Sequence, residues 1–136
     1  MKILRIFVGT HMSNKTKAYS TMNVIDEQSN VFSLPPKQYI DKKNTYHRVN
    51  LRTICDFASE INESNIKESM KLIFYVNDDL IPYEWNQEYK SENNISNKTN
   101  DKDIYKKLIS IDKNIQIEIK GKDAILSLMN RLGIKK

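Results

Sequence analysis

The hydrophobic positions of this chain repeat with two different periods, and the switch between them divides it into elements. Residues 2–8 (KILRIFV) are β-branched and apolar without a breaker, and from Lys17 to Ile25 the positions Ala18, Ser20, Met22 and Val24 alternate with their neighbours. A period of two puts alternate side chains on one face, so both segments predict strands. Asp26 to Asn30 (DEQSN) predicts a turn. Val31 to Leu34, just ahead of Pro35-Pro36, predicts a short third strand that completes an antiparallel meander. From Val49 the period lengthens: Leu51, Ile54, Ala58 and Ile61 recur at helical spacing with Asp56, Glu60 and Glu63 on other faces. This predicts an amphipathic helix of about four turns ending near Asn65.

Residues 71–76 (KLIFYV) form a continuous apolar run, the pattern of a central strand buried on both faces and parallel to the first. Leu80 to Lys90 predicts a short helix with Pro82 near its start, where Tyr83, Trp85 and Tyr89 add aromatic surface. Residues 91–101 (SENNISNKTND) are polar and low in complexity, which predicts a mobile surface loop. Asp103 to Ile111 predicts another short helix, and Ile115 to Lys120 alternates as a half-buried strand. Asp123 to Leu132 closes the chain as a helix stopped by Gly133. The element order is βββ-α-β-α-α-β-α.

At 136 residues the chain is sized for a single domain spanning 1–136. With 39% hydrophobic and 29% charged residues but only three glycines and three prolines, it is neither disordered nor a fibrous repeat. Its apolar runs are strand-sized, far short of the roughly 20 residues of a membrane span, so no membrane partner is expected. The N-terminus lacks the pattern of a signal peptide, and the lone Cys55 fits a reducing compartment, so a cytoplasmic protein is expected. Ile, Lys and Asn are abundant, as expected of AT-rich coding DNA. The net charge of +5 is unevenly placed: residues 1–48 carry eight Lys or Arg against three acids, and residues 49–136 carry fourteen of each. A basic N-terminal third points towards a polyanion.

Few residues suggest chemistry by themselves. Cys55 falls on the apolar side of a helix, where a small buried hydrophobe is expected rather than a reactive thiol. His11 and His47 have no metal-ligand spacing and are expected at the surface. The sequence has no phosphate-binding glycine loop, nucleophile elbow or Cys/His metal cluster, and no cofactor is expected.

Several short segments carry a resemblance. Thr45 to Ile61 (TYHRVNLRTICDFASEI) is similar to the T-N-N-R-M-E-L opening of the first helix in the ribonuclease H family, with Arg48 and Leu51 in place. Leu72 to Asp78 (LIFYVND) is similar to that family's fourth strand ending in T-D-S, and Ile117 to Lys122 (IEIKGK) to its W-V-K-G-H, with Lys122 at the His. Ile6 to Thr10 (IFVGT) aligns with the I-Y-T-D-G type of first strand, and Met129 to Leu132 (MNRL) with a D-E-L-A step. The resemblance covers nearly the whole chain in words separated by unmatched stretches. The Gly-rich hairpin after strand one is missing, and the family's basic protrusion shrinks to the near-neutral loop 91–101. The fold it implies is α/β and ribonuclease H-like: a five-stranded mixed sheet in the order 3-2-1-4-5, with helices on both faces.

In that family four carboxylates hold two Mg²⁺ ions that activate water against an RNA phosphodiester. The resemblance places Gly9, Asn50, Asn77 and Asn130 on those four positions. Neutral residues cannot replace anionic oxygen at a hard cation pair, so no catalytic residue, no metal site and no enzyme are expected. The implied function is a ribonuclease H-like module that binds an RNA/DNA hybrid or duplex backbone without cleaving it. Lys15, Lys17, Lys42, Lys43, Arg48, Arg52 and Lys122 would neutralise phosphates, and Thr45 would open the first helix beside them. An alternative is a protein-interaction or inhibitor module of a phage or other mobile element, gripping its partner through Tyr83, Trp85 and Tyr89. A third reading is a metal-dependent nuclease that rebuilds its acidic site from Asp78, Asp79 and Asp123.

Overall fold

The computed structural model describes residues 1–41, 44–64, 69–89 and 101–131. Strand β1 (Lys2–Met12) pairs antiparallel with β2 (Lys17–Ile25), Arg5 opposite Ile25 and Met12 opposite Ala18. On its other side β1 runs parallel to β5 (Met70–Val76), with Val8 beside Val76, and β5 runs parallel to β6 (Gln116–Lys120). With β3 (Val31–Ser33) and β4 (Lys37–Ile40), the described residues thus form a mixed sheet in the order β3-β2-β1-β5-β6, with β4 also beside β2.

The sequence predicts five strands, and the sixth arises from the two prolines. β3 (Val31–Ser33) pairs with Asn23 to Ile25 of β2, and β4 (Lys37–Ile40) with Lys17 to Ser20. Pro35-Pro36 falls between them. Proline has no N–H to donate to a ladder, so the edge strand is interrupted and resumes along the same neighbour.

One face of the sheet packs on α1 (Tyr46–Glu63). The alternate residues Ile6 and Val8 of β1, Leu72, Phe74 and Val76 of β5, and Ile117 and Ile119 of β6 meet Leu51, Ile54 and Ala58 in the core. Burial of each such side chain contributes about 1.5–3 kcal/mol. Phe57 meets Phe74 edge to face at 6.0 Å, which fixes the height of α1 over the central strand. Helix α3 (Lys102–Asp112) adds Ile104, Tyr105, Leu108 and Ile111 to this core. α4 (Lys122–Arg131) lies against β5 and β6, with Ala124 and Ser127 over the opposite face beside Arg5, Phe7 and Tyr75.

After β5 the chain forms α2 (Leu80–Tyr83), which widens into a π-helical turn over Glu84–Tyr89. Trp85, expected as surface, is fully buried there, and its indole N–H donates to the Ile117 carbonyl at 3.2 Å. A large ring with a satisfied donor belongs in a core, so Trp85 is a packing residue and not a partner anchor. Tyr83 is exposed, while the Tyr89 side chain lies outside the described atoms.

Candidate nucleic-acid interface

The C-terminal ends of β1 and β5, the start of β2 and the N-terminus of α1 meet at one end of the sheet. Thr45 caps α1 in extended backbone, and its hydroxyl accepts the Arg48 N–H at 3.1 Å, so one of the helix's unpaired donors is used there. The segment before the cap is tied to the β1–β2 hairpin: Asn44 N–H donates to the Lys15 carbonyl at 2.7 Å, and Asp41 N–H to the Thr16 carbonyl at 3.0 Å. The Asn44 side-chain amide also donates to the carbonyls of Thr16 and Tyr39. These bonds lock the exposed Lys15 and Lys17 beside the helix entrance.

Beneath them lies a cavity of about 450 Å³ lined by Val8, Gly9, Thr10, Tyr46, Asn50 and Asn77. Tyr46 and Asn50, four residues apart on α1, face it from one side, and β1 and β5 supply the rest. The Thr10 hydroxyl donates to the side-chain oxygen of the buried Asn50. Of the four positions that the resemblance aligns with carboxylates, three, Gly9, Asn50 and Asn77, therefore line one cavity. Asn130 is exposed in the last turn of α4, eight residues beyond the helix start, and does not line it.

One turn back on α1 the surroundings are ionic. His47 sits among three carboxylates from three different segments. Its Nδ1 is 3.0 Å from Asp78 Oδ2, and its Nε2 lies 3.5 Å from Glu84 and 3.4 Å from Asp101. The hydrogen bond to Asp78 raises the imidazole pKa against the opposing effect of burial, and the charges of Asp78, Asp101 and Glu84 add to the rise. Burial works against ionisation of Asp78, but the His47 bond and the Ile81 and Leu80 amides outweigh it and hold its carboxyl below the usual range. Arg48 completes the group, with Nη1 2.6 Å from Asp101 and Nε 3.4 Å from Asp41.

This cluster corrects several expectations. His47 is half-buried and central, not a surface residue. Of the loop expected over 91–101, residues 91–100 lie outside the described residues, but Asp101 is 5% exposed and opens α3 with its carboxylate turned to His47 and Arg48. Arg48 and Arg52, expected on phosphates, are engaged by protein carboxylates: Arg52 lies 3.7 Å from Asp41 and stacks over the Tyr39 ring. Lys42 and Lys43 lie outside the described residues. Lys122 is exposed at the start of α4, its amide donating to Asp79. The sequence signal for the cluster was weak, because its acids are 31 to 54 residues from His47 and no local spacing links them.

Gly121 marks where β6 turns towards α4. A Cβ there would lie 2.6 Å from Asp79 Oδ1 and 3.3 Å from the Asp78 carbonyl oxygen, so a larger residue would have to push aside the Asp79 carboxylate that accepts the Lys122 N–H. The contact places Asp79 and the start of α4, with Asp123, at the same end of the sheet as Gly9 and Asn77. Among the described residues, however, no group of three His, Cys, Asp or Glu side chains is placed to hold a metal ion. Asp78 is held by His47 and accepts the Leu80 and Ile81 N–H groups at the start of α2. The cavity itself offers amide, hydroxyl and phenol oxygens, a donor set that does not fit a Mg²⁺ pair. Cys55 is buried, and burial pushes its thiol up to about 11, so it is no nucleophile.

The sequence matches no protein-family model and no curated protein, whereas the fold has solved counterparts. The chain is similar to a ribonuclease H1 isolated from compost by a metagenomic approach, with a TM-score of 0.63, 12% identity, and coverage of 97% of this chain and 93% of that one. The LC11 ribonuclease H1 in complex with an RNA/DNA hybrid gives a TM-score of 0.62 at 14% identity, covering 89% of this chain and 87% of the other. Ribonuclease H1 from the halophilic archaeon Halobacterium salinarum gives 0.55 at 7% identity, with 90% and 88% covered. The fold is therefore ribonuclease H-like. These comparisons also correct the expectation that the chain is not an enzyme: these three solved structures that share its fold are ribonucleases H1, so that expectation does not stand. Among the described residues no helix is long and apolar enough to cross a membrane.

Proposed function

We propose that this chain is a ribonuclease H-like module that binds nucleic acid of the RNA/DNA hybrid class at the end of the sheet where the β1–β2 hairpin meets α1. The observation that carries this reading is the uncharged cavity beside Lys15 and Lys17. A carboxylate-lined site repels phosphate unless cations screen it. A cavity of Asn50, Asn77, Thr10 and Tyr46 offers hydrogen-bond partners without that repulsion, and the hairpin lysines add attraction. The sequence adds Lys42 and Lys43 in the segment that leads into α1. Support comes from the compost-derived ribonuclease H1 solved with an RNA/DNA hybrid, whose fold this chain shares.

The test is fluorescence anisotropy with a labelled RNA/DNA hybrid across a salt series, with products followed in parallel in Mg²⁺ or Mn²⁺. Binding should weaken linearly in log salt. Reversal of Lys15 and Lys17 to Glu should weaken it on the order of tenfold or more for every sequence and flatten the slope by about two units. Reversal of Lys135 and Lys136 should matter much less. Failure to bind at low salt, or equal effects of the two reversals, would overturn the proposal in favour of a protein partner.

A further inference from the structure

The opposite face of the sheet carries a second feature that the hybrid reading does not use. Between α4 and the outer side of β1 runs a groove of about 520 Å³, within the range of small-ligand sites. In its wall Phe7 and Tyr75, register partners on β1 and β5, stack with centroids 4.7 Å apart and planes 8° from parallel. Three cations line it from three elements: Arg5 on β1, Lys120 on β6 and Arg131 on α4. Arg5 and Arg131 form no ion pair among the described residues. Lys120 lies 3.7 Å from Glu118, whose shorter partner is Lys71 at 2.8 Å.

Two acids, Asp26 and Glu27, stand at the turn that closes one end of the groove. The Asp26 carboxylate is held within its turn by the Gln28 and Asn30 N–H groups, and Glu27 spends one oxygen on the Ile3 amide. The groove thus pairs an aromatic wall, two arginines without an ion pair among the described residues and the Glu118-bound Lys120 with carboxylate acceptors at one end. An acidic peptide would meet repulsion at that end. A nucleotide satisfies both: phosphate on the cations, a planar base against the partly exposed Phe7 ring, and exocyclic amino groups towards the carboxylates.

We infer that this groove is a site for single-stranded nucleic acid, taking one nucleotide with its base against Phe7, whose ring the buried Tyr75 backs, and its phosphate on Arg5 and Arg131 with Lys120 alongside. The site is separate from the hybrid-binding end, and it stands or falls without that reading. The experiment uses the full chain and a labelled single strand of about ten nucleotides at low salt. R5E/R131E, two changes at groove-lining cations, should lower single-strand affinity on the order of tenfold and leave hybrid affinity within about twofold. K15E/K17E should do the reverse. F7L keeps an apolar side chain but removes the ring, and should cost about fivefold or more in single-strand affinity, with a melting curve confirming that it folds. The inference is overturned by absence of single-strand binding to the parent, by R5E/R131E binding the strand as tightly as the parent, or by the two double variants affecting both ligands alike. It is also overturned if a free nucleoside monophosphate binds as tightly as the strand, because the groove would then serve a small molecule.

Discussion

Two neighbouring parts of α1 face very different surroundings. Asn50 looks onto a cavity without charge, and His47, three residues earlier, is enclosed by Asp78, Glu84 and Asp101 with Arg48 alongside. The end of the sheet is therefore not poor in carboxylates. Its carboxylates are held in a structural cluster that ties the start of α1 to the end of β5, the π-helical turn and the start of α3. An acid count taken from this neighbourhood would overstate the ligands available to a cation, because the cluster supplies its own positive partners and backbone donors. What separates an ionic staple from a metal site here is the cation already built into the fold.

The comparison is broken most forcefully by moving charge from one part to the other. Asn50→Glu combined with Asn77→Asp places carboxylates in the neutral cavity, and at the buried position 50 an unpartnered charge should cost about 3 kcal/mol in urea denaturation. Millimolar Mn²⁺ should restore part of that loss in the variant and little in the parent. A variant as stable as the parent without metal would show that the cavity is open to water.

Removing the built-in cation is the converse change. His47→Ala leaves three carboxylates and one arginine, and should destabilise by about 2–3 kcal/mol, whereas the exposed His11→Ala should stay within about 0.5 kcal/mol. Equal effects would dismiss the cluster as a stabilising feature. The same residue sets a pH dependence. Because the folded-state pKa of His47 is raised above 6.5, its contribution is complete below that value and is lost as pH rises through the folded pKa. Asp78 behaves oppositely: its pKa is lowered from 3.8, so its contribution is present above that value and is lost as pH falls through the folded pKa. Denaturation midpoints of the parent should fall on the alkaline side of 6.5, and those of His47→Ala should lose that step. The smallest change is Thr45→Ala, which removes the cap donor-acceptor pair and should cost about 1 kcal/mol by thermal melting without altering the pH profile.

Much of the architecture was legible in the residues. The alternation over Lys17 to Ile25, the unbroken run over residues 71–76 and the helical spacing from Leu51 to Ile61 each record a choice of buried face, and the structure keeps all three elements. The candidate site was legible only where it lay within a strand or helix: Gly9, Asn50 and Asn77 converge, as register and helix phase require. Asn130 did not follow, because α4 starts at Lys122 directly after Gly121 and carries position 130 two turns away.

By itself the sequence determined most of the elements, their order and the uncharged side chains at the ends of β1 and β5, since these depend on local period and residue type; β4 and the π-helical turn over Glu84–Tyr89 it did not. Only the tertiary structure decided which charges remain free. Arg48 and Arg52 read as phosphate ligands until Asp41 and Asp101 were brought against them, and Trp85 read as surface until the π-helical turn carried it under β6. The reason is physical. Periodicity reports burial along one element, whereas the partner of a charge is set by which distant segments close around it, and a carboxylate 53 residues away leaves no trace in the pattern around Arg48.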